Sequence, residues 1–242
     1  KLTIVDFLRQ RGISFDTQNL TGAGDLDVDF YARRNFCSEC HGDWYVEGIT
    51  GIRFPTGTRV DNPGLLLEQP LGNNKHFEFK LGGQIGMQPT EWFAFKADAQ
   101  FYHVFSHTER VGAPFVGATI KNIGPTVDAK VSWNYFLANL DLTFLVPCSK
   151  NCSGFNIGYQ PYFKLQDKVS FDQLTAVDFQ GNVATLNPAL IESNTKRHAQ
   201  RIKVELFHKT CNWEIYGGWL HTIAGKNIQR ESDWYLGFGM FF

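Results

Sequence analysis

Along most of this chain, apolar and polar residues alternate one by one. Leu26, Val28, Phe30 and Ala32 interleave with Asp27, Asp29, Tyr31 and Arg33. Phe93, Phe95, Ala97, Ala99 and Phe101 interleave with Lys96, Asp98 and Gln100. Val127, Ala129, Val131, Trp133 and Tyr135 oppose Asp128, Lys130, Ser132 and Asn134, and Leu140, Leu142, Phe144 and Val146 oppose Asp141 and Thr143. Residues 155–165, 200–209 and 212–221 behave alike. Successive side chains of an extended strand point to opposite faces, so a period of two dictates strands with one apolar side. A helical period is sustained nowhere, and the only short candidate helix is 4–12. The expected fold is all-β, one domain over residues 1–242.

Two kinds of protein carry such strands. A soluble sandwich or barrel buries its apolar face and wets the charged one, whereas a membrane barrel does the reverse. No stretch approaches the roughly 18 uninterrupted apolar residues of a membrane-crossing helix. Strands that alternate would leave the overall hydropathy equally ordinary. The formal net charge of −1, with no dense basic run, argues against nucleic acid as a partner. The first residues, KLTIVDFLRQRG, lack the apolar core of a secretory signal.

The spacing of strands favours the membrane. Connections alternate between short (around 36–43, 88–91 and 210–212) and long (55–75, 106–124 and 177–197). Outer-membrane barrels show this rhythm, with short turns on one side and long loops on the other. The chain ends SDWYLGFGMFF, which sets Trp234, Leu236, Phe238, Met240 and Phe242 on one face of a last strand. This resembles the C-terminal signature of Gram-negative outer-membrane β-barrel proteins, in which the terminal Phe and the alternating apolar residues are read by the barrel-assembly machinery. The resemblance implies a transmembrane antiparallel up-and-down barrel in the Gram-negative outer membrane, with lipid and that machinery as partners. Trp44, Tyr45, Trp92, Trp133, Tyr135, Trp213 and Trp234 suit interfacial aromatic girdles.

Two strand counts fit. If 136–139 and 165–168 are turns there are about twelve strands, the first a weak one near 1–9; if not, about ten. Membrane strands need only about 9–11 residues, which favours twelve. The apolar parity also changes across YFLAN, as a turn or bulge requires. The inward face would then hold Arg33, Glu47, Arg53, Glu78, Lys80, Lys96, Asp98, Asp128, Lys130, Lys164, Arg201, Lys203 and Glu205. With Asp27, Asp29, Asp141 and Glu214 counted on the same face, its eight bases meet nine acids and the charge is nearly balanced. It suits either a narrow, weakly selective pore for small hydrophilic solutes or ion pairs that zip the lumen shut. A second reading is a structural or adhesive barrel whose long loops meet a partner, and a homo-oligomer fits either one. A third, outer-membrane hydrolysis, rests only on Ser106, His107 and Glu109 in a long loop; no catalytic motif accompanies them, so no enzyme is expected. Gly82, Gly83 and Gly86 lie in a strand with no helix after it, which fails the context of a phosphate loop and suits close packing instead.

The five cysteines avoid strand centres. Cys37 and Cys40 lie in one turn, Cys148 and Cys152 in another, and Cys211 in a third. In an oxidising envelope, the simplest content of Cys37, Cys40, Cys148 and Cys152 is disulfides. Cys211 is left over as a thiol or as a link to a neighbouring chain. On cysteine usage alone the chain is similar to the disulfide-cross-linked major outer-membrane proteins of chlamydia-like or legionella-like envelopes. Cys37, Cys40 and His41 also have the order of a haem attachment site. Haem needs an apolar pocket and usually a second axial ligand, and a short turn between strands supplies neither. A zinc site from the four paired cysteines would require distant turns to meet. No cofactor or metal is therefore expected.

Overall fold

The computed structural model describes residues 24–38, 42–57, 73–119, 121, 124–146, 152–178, 180–228 and 230–240. Its strands are β1 (Leu26–Ser38), β2 (Gly42–Phe54), β3 (Glu78–Thr90), β4 (Phe93–Gly112), β5 (Thr126–Val146) and β6 (Cys152–Lys164). They continue as β7 (Lys168–Phe171), β8 (Thr175–Val177), β9 (Val183–Thr185), β10 (Arg197–Lys209), β11 (Trp213–Lys226) and β12 (Ser232–Met240). One short helix, α1, spans Pro188–Glu192. The main sheet is an antiparallel meander in the order β1-β2-β3-β4-β5-β6-β10-β11-β12, with β7 carrying on beyond β6 along β5. That gives ten strands in nine positions. Among the described residues β1 and β12 do not touch, so the sheet is not closed.

The count is the lower of the two expected, because residues 136–139 are no turn. β5 runs unbroken for 21 residues beside the 20 of β4. At about 3.3 Å per residue such a strand is some 70 Å long, far more than a membrane thickness. The loop expected from 106 therefore begins only after Gly112. The weak strand near 1–9 and the candidate helix at 4–12 lie outside the described residues.

Parity along β5 also differs from expectation, for a physical reason. Its odd residues face one side of the sheet throughout. Val127 and Ala129 at the top share their face with Tyr135 and Asp141 below. What changes at YFLAN is the surroundings. The lower half shows Phe136, Leu140 and Leu142 to the outside, whereas the top shows Asp128 and Lys130. The top of the β4–β5 hairpin overhangs the apolar zone, and there the outside is wet and the inside is packed.

That packing is the only buried apolar cluster among the described residues. Ala113, Val127, Ala129, Val169, Phe171 and Leu186 form it, helped by Phe115, Ala176 and Ile191 from the 113–125 and 165–196 connections. The β8–β9 hairpin beyond it turns on Asp178, whose carboxylate accepts from the backbone N–H groups of Asn182 and Gln180 and is thereby held below the usual carboxylate range. Elsewhere the described residues form no second layer on the sheet. Its connections sort cleanly by end: 39–41, 91–92, 147–151 and 210–212 at one, and 55–77, 113–125, 165–196 and 227–231 at the other.

Glycines let the sheet draw close on its polar side. Gly86 lies opposite Tyr45, and Gly237 opposite Tyr216, so a Cβ at either would stand 2.2 Å from the tyrosine ring. The Tyr45 ring also carries the Arg33 guanidinium 3.5 Å above it, and its hydroxyl accepts from Gln84. Gly86→Val is therefore expected to displace a ring fixed from two sides and to destabilise the fold by about 1–3 kcal/mol in urea unfolding.

Candidate functional site

The cross-strand register divides the sheet into two chemically distinct faces. One carries Val28, Phe30, Ile52, Leu81, Ile85, Phe101, Leu140, Phe155, Ile157, Leu206 and Ile215, all exposed. Trp44, Trp92 and Trp213 stand on it near the short-turn end. Trp234, Leu236, Phe238 and Met240 are 60–81 % exposed on the edge strand β12, as their alternation predicts. Phe242, the last member of that set, lies outside the described residues. Tyr45, Trp133 and Tyr135 depart from the expected girdles, because register turns them to the other face.

That other face is charged. Arg33, Glu47, Arg53, Glu78, Lys80, Lys96, Asp98, Lys164, Arg201, Lys203 and Glu205 all lie on it, as expected. Asp128 and Lys130 do not. They sit on the opposite side of the β5 overhang, where Lys130 approaches Asp172 at 3.9 Å. The continuous parity of β5 removes them from the set.

The charges pair across strands rather than along them. Residues two apart on one strand are separated by nearly 7 Å, whereas directly opposed residues stand about 5 Å apart. Arg53 of β2 grips Asp27 of β1 through Nε at 2.7 Å and Nη2 at 3.0 Å. Its Nη1 lies 3.2 Å from the buried carboxylate of Glu78 on β3. Tyr135 of β5 donates to the same carboxylate at 2.9 Å, reaching over β4, and Asn73 donates at 3.1 Å. Lys80 donates to Asp29 at 2.6 Å, reaching over β2. Lys203 stands 3.2 Å from Asp141, and Tyr235 donates to Glu205 at 2.7 Å.

A second chain of polar contacts runs transversely. Asn139 donates to Asp98 at 2.8 Å, Gln160 donates to Asn139 at 2.7 Å, and Arg201 donates to Gln160 at 3.2 Å. Four neighbouring strands are stitched together by it. Sequence reasoning missed the uncharged members, Tyr102, Asn139, Gln160 and Tyr162, although the same period-two rule marks them as inward. Arg197 was missed because it begins its strand, where alternation has no earlier residue to register against.

Two cavities open on this face. One of about 620 Å³ at the long-loop end has Arg53, Glu78, Trp133, Tyr162, Arg197 and Arg201 in its wall. Arg53 and Arg201 stand five strand positions apart, about 24 Å in a flat sheet. For both to line one cavity the sheet must curl, with the charged face on the inside. The other cavity, about 700 Å³, lies at the short-turn end and is walled by Arg33, Asp43, Tyr45, Gln88 and Lys96 with Phe36 and Phe95 at its rim. Between them the Asp29–Lys80 and Asp27–Arg53–Glu78 pairs bridge the strands.

The hydrolase cluster does not assemble as expected. Ser106, His107 and Glu109 belong to β4, not to a loop. Glu109 is engaged by the fully buried His76, whose Nε2 lies 2.6 Å from its carboxylate while Nδ1 donates to the Phe105 carbonyl at 2.9 Å. The pair ties the 73–77 segment to the β4 overhang, and the His76 ring lies tilted against Trp133 with centroids 4.7 Å apart.

Cys40, His41 and Cys148 lie outside the described residues, and Cys37 and Cys152 are the strand ends beside them. The disulfide, haem and zinc expectations therefore fall there. Among the described residues there is no disulfide and no cluster of His, Cys, Asp and Glu able to hold a metal ion. Cys211 is exposed in the turn between β10 and β11. No helix among the described residues is long and apolar enough to cross a membrane. No known family model matches the chain, and comparison with the curated proteins returns no match.

Proposed function

We propose that this chain is a β-barrel of the Gram-negative outer membrane that passes small hydrophilic solutes along its charged inner face. One observation carries the reading: the outer face is apolar and exposed on every strand of the meander, and no described residue forms a second layer over it. A soluble sheet of this size would bury that face, and an uncovered apolar surface this large is a surface for lipid or for a partner. The nearly balanced inner charges suit weak ion selectivity.

The strand directions say what closure needs. β1 and β12 both run from the long-loop end to the short-turn end, so they cannot pair antiparallel with each other. One more strand running the other way would satisfy both edges, and the weak strand expected near 1–9 is the candidate. In this reading the long loops face outward from the cell, and the cluster around Phe171 and Leu186 packs Ala113 and Phe115 of one against Ala176 and Ile191 of another. That ordered lobe favours, as a second reading, a barrel whose loops bind a partner. We assign no hydrolytic step.

Planar-bilayer recording of the refolded chain tests the pore. Discrete conductance steps are expected from the full chain and none from a chain beginning at Gly24. Absence of conductance in the full chain under all salts would leave the loop-binding reading in its place.

A further inference from the structure

We propose that the cavity at the long-loop end binds a small organic solute through its carboxylate or phosphate group, held by Arg197 and Arg201 against an aromatic wall of Trp133 and Tyr162. This rests on the charged face being the wetted lumen, but not on the pore being conductive.

The register of β10 against β6 creates the site. Arg197 faces Lys164, Ala199 faces Tyr162, and Arg201 faces Gln160. Two cations placed directly opposite on one face repel each other unless an anion is supplied. Lys164 is already answered. Its ammonium is 2.6 Å from Asp167 and lies 4.6 Å above the Trp133 ring. Arg53 is answered by Asp27 and Glu78, and Glu78 already accepts from Tyr135 and Asn73 as well.

Of the other two arginines, the described residues answer one only loosely and the other not at all. Arg201 donates to the neutral Gln160 and meets Glu231 only at 3.7 Å, while its buried Nε has no acceptor. Arg197 makes no ion pair with any described residue and points into the same cavity, beside the fully buried Ala199. The wall thus carries four cations, Arg53, Lys164, Arg197 and Arg201, against two carboxylates, Glu78 and Glu231. Guanidinium forks match carboxylate and phosphate oxygens two at a time, which a point charge does not.

The rest of the wall sets the kind of anion. Trp133, Tyr135 and Tyr162 give an aromatic wall for a carbon skeleton, with the Tyr135 and Tyr162 rings 5.7 Å apart and inclined by 46°. Asn73 and Gln160 add neutral polar groups. A volume of about 620 Å³ falls in the range of small-molecule sites. A lone chloride ion would leave most of it empty.

The test uses the full chain folded in detergent, followed by tryptophan fluorescence. Sodium phosphate and sodium succinate are titrated against sodium chloride at matched ionic strength, and Trp133→Phe identifies the reporting ring. A saturable change with phosphate or succinate is expected, absent with chloride and absent in Trp133→Phe. Arg197→Gln should weaken it several-fold and the Arg197→Gln, Arg201→Gln pair at least tenfold. Lys130→Gln, the same charge change on the outer side, should leave it unaltered. Arg197 has no ion-pair partner among the described residues to lose, so its single variant keeps the test valid if the double variant misfolds. An equal response to chloride, no saturable response to either oxyanion, or unchanged affinity in Arg197→Gln would overturn the site. Binding retained by a chain that does not conduct would remove the pore and leave the site standing.

Discussion

Leu140→Arg is expected to destabilise the chain in lipid vesicles by about 2–4 kcal/mol, read as a lowered urea midpoint, while costing little in a soluble context. Leu140 is half exposed in the lower half of β5, flanked along the outer face by Ala138 and Leu142 and across it by Ala97 and Tyr159. An arginine on a water-exposed surface changes stability by only about 0.5 kcal/mol in either direction. At the midplane of a bilayer the same side chain must snorkel or draw in water. The substitution therefore distinguishes the two ways of solvating this sheet. Lys130→Leu, on the same side but in the overhang, is expected to be near neutral. Equal midpoints for Leu140→Arg and the parent chain in vesicles would remove the membrane reading.

Arg53→Met is expected to cost about 2–3 kcal/mol, at or below the low end of what is found when one partner of a fully buried ion pair is removed, because Arg53 is itself one-third exposed. Its guanidinium is the link between Asp27 and Glu78, and the Glu78 side chain is only 3 % exposed. Tyr135 and Asn73 would still donate to Glu78, but neither brings a charge. Replacing both members, Arg53→Met with Glu78→Leu, should recover most of the loss, because the unpaired buried charge is then gone as well. Urea unfolding of the two single variants and the double variant reads the coupling directly. An additive outcome would show that Arg53 and Glu78 act independently.

Much of the sheet was legible because its signal is local. Alternation in 26–33 and 92–101 places Asp29, Arg33, Lys96 and Asp98 on one face by the geometry of a single strand, and no distant contact overrides it. The alternation of short and long connections was visible as well, although the long loop expected from 106 starts only after Gly112, where β4 ends. The change of apolar parity at YFLAN was visible too, but its cause was not. Alternation reports which side of a strand is apolar, and only the surroundings say whether that side faces out or in. Asp128 and Lys130 were misplaced for that reason alone.

The pairings were the least legible part. Arg53 with Glu78, Tyr135 with Glu78, and Lys80 with Asp29 depend on register between strands and on curvature that brings side chains over an intervening strand. Neither quantity leaves a mark in any one segment. The His76–Glu109 pair is similar, since it joins the end of a long connection to a bulge in β4.

The sequence by itself determined an all-β meander with one apolar and one charged face, because a period of two is a property of the extended backbone and needs no partner. The tertiary structure decided the number of strands, the overhang of β4 and β5, and which charges meet. Those depend on hydrogen-bond register and sheet curl, which are set jointly by residues far apart in the chain.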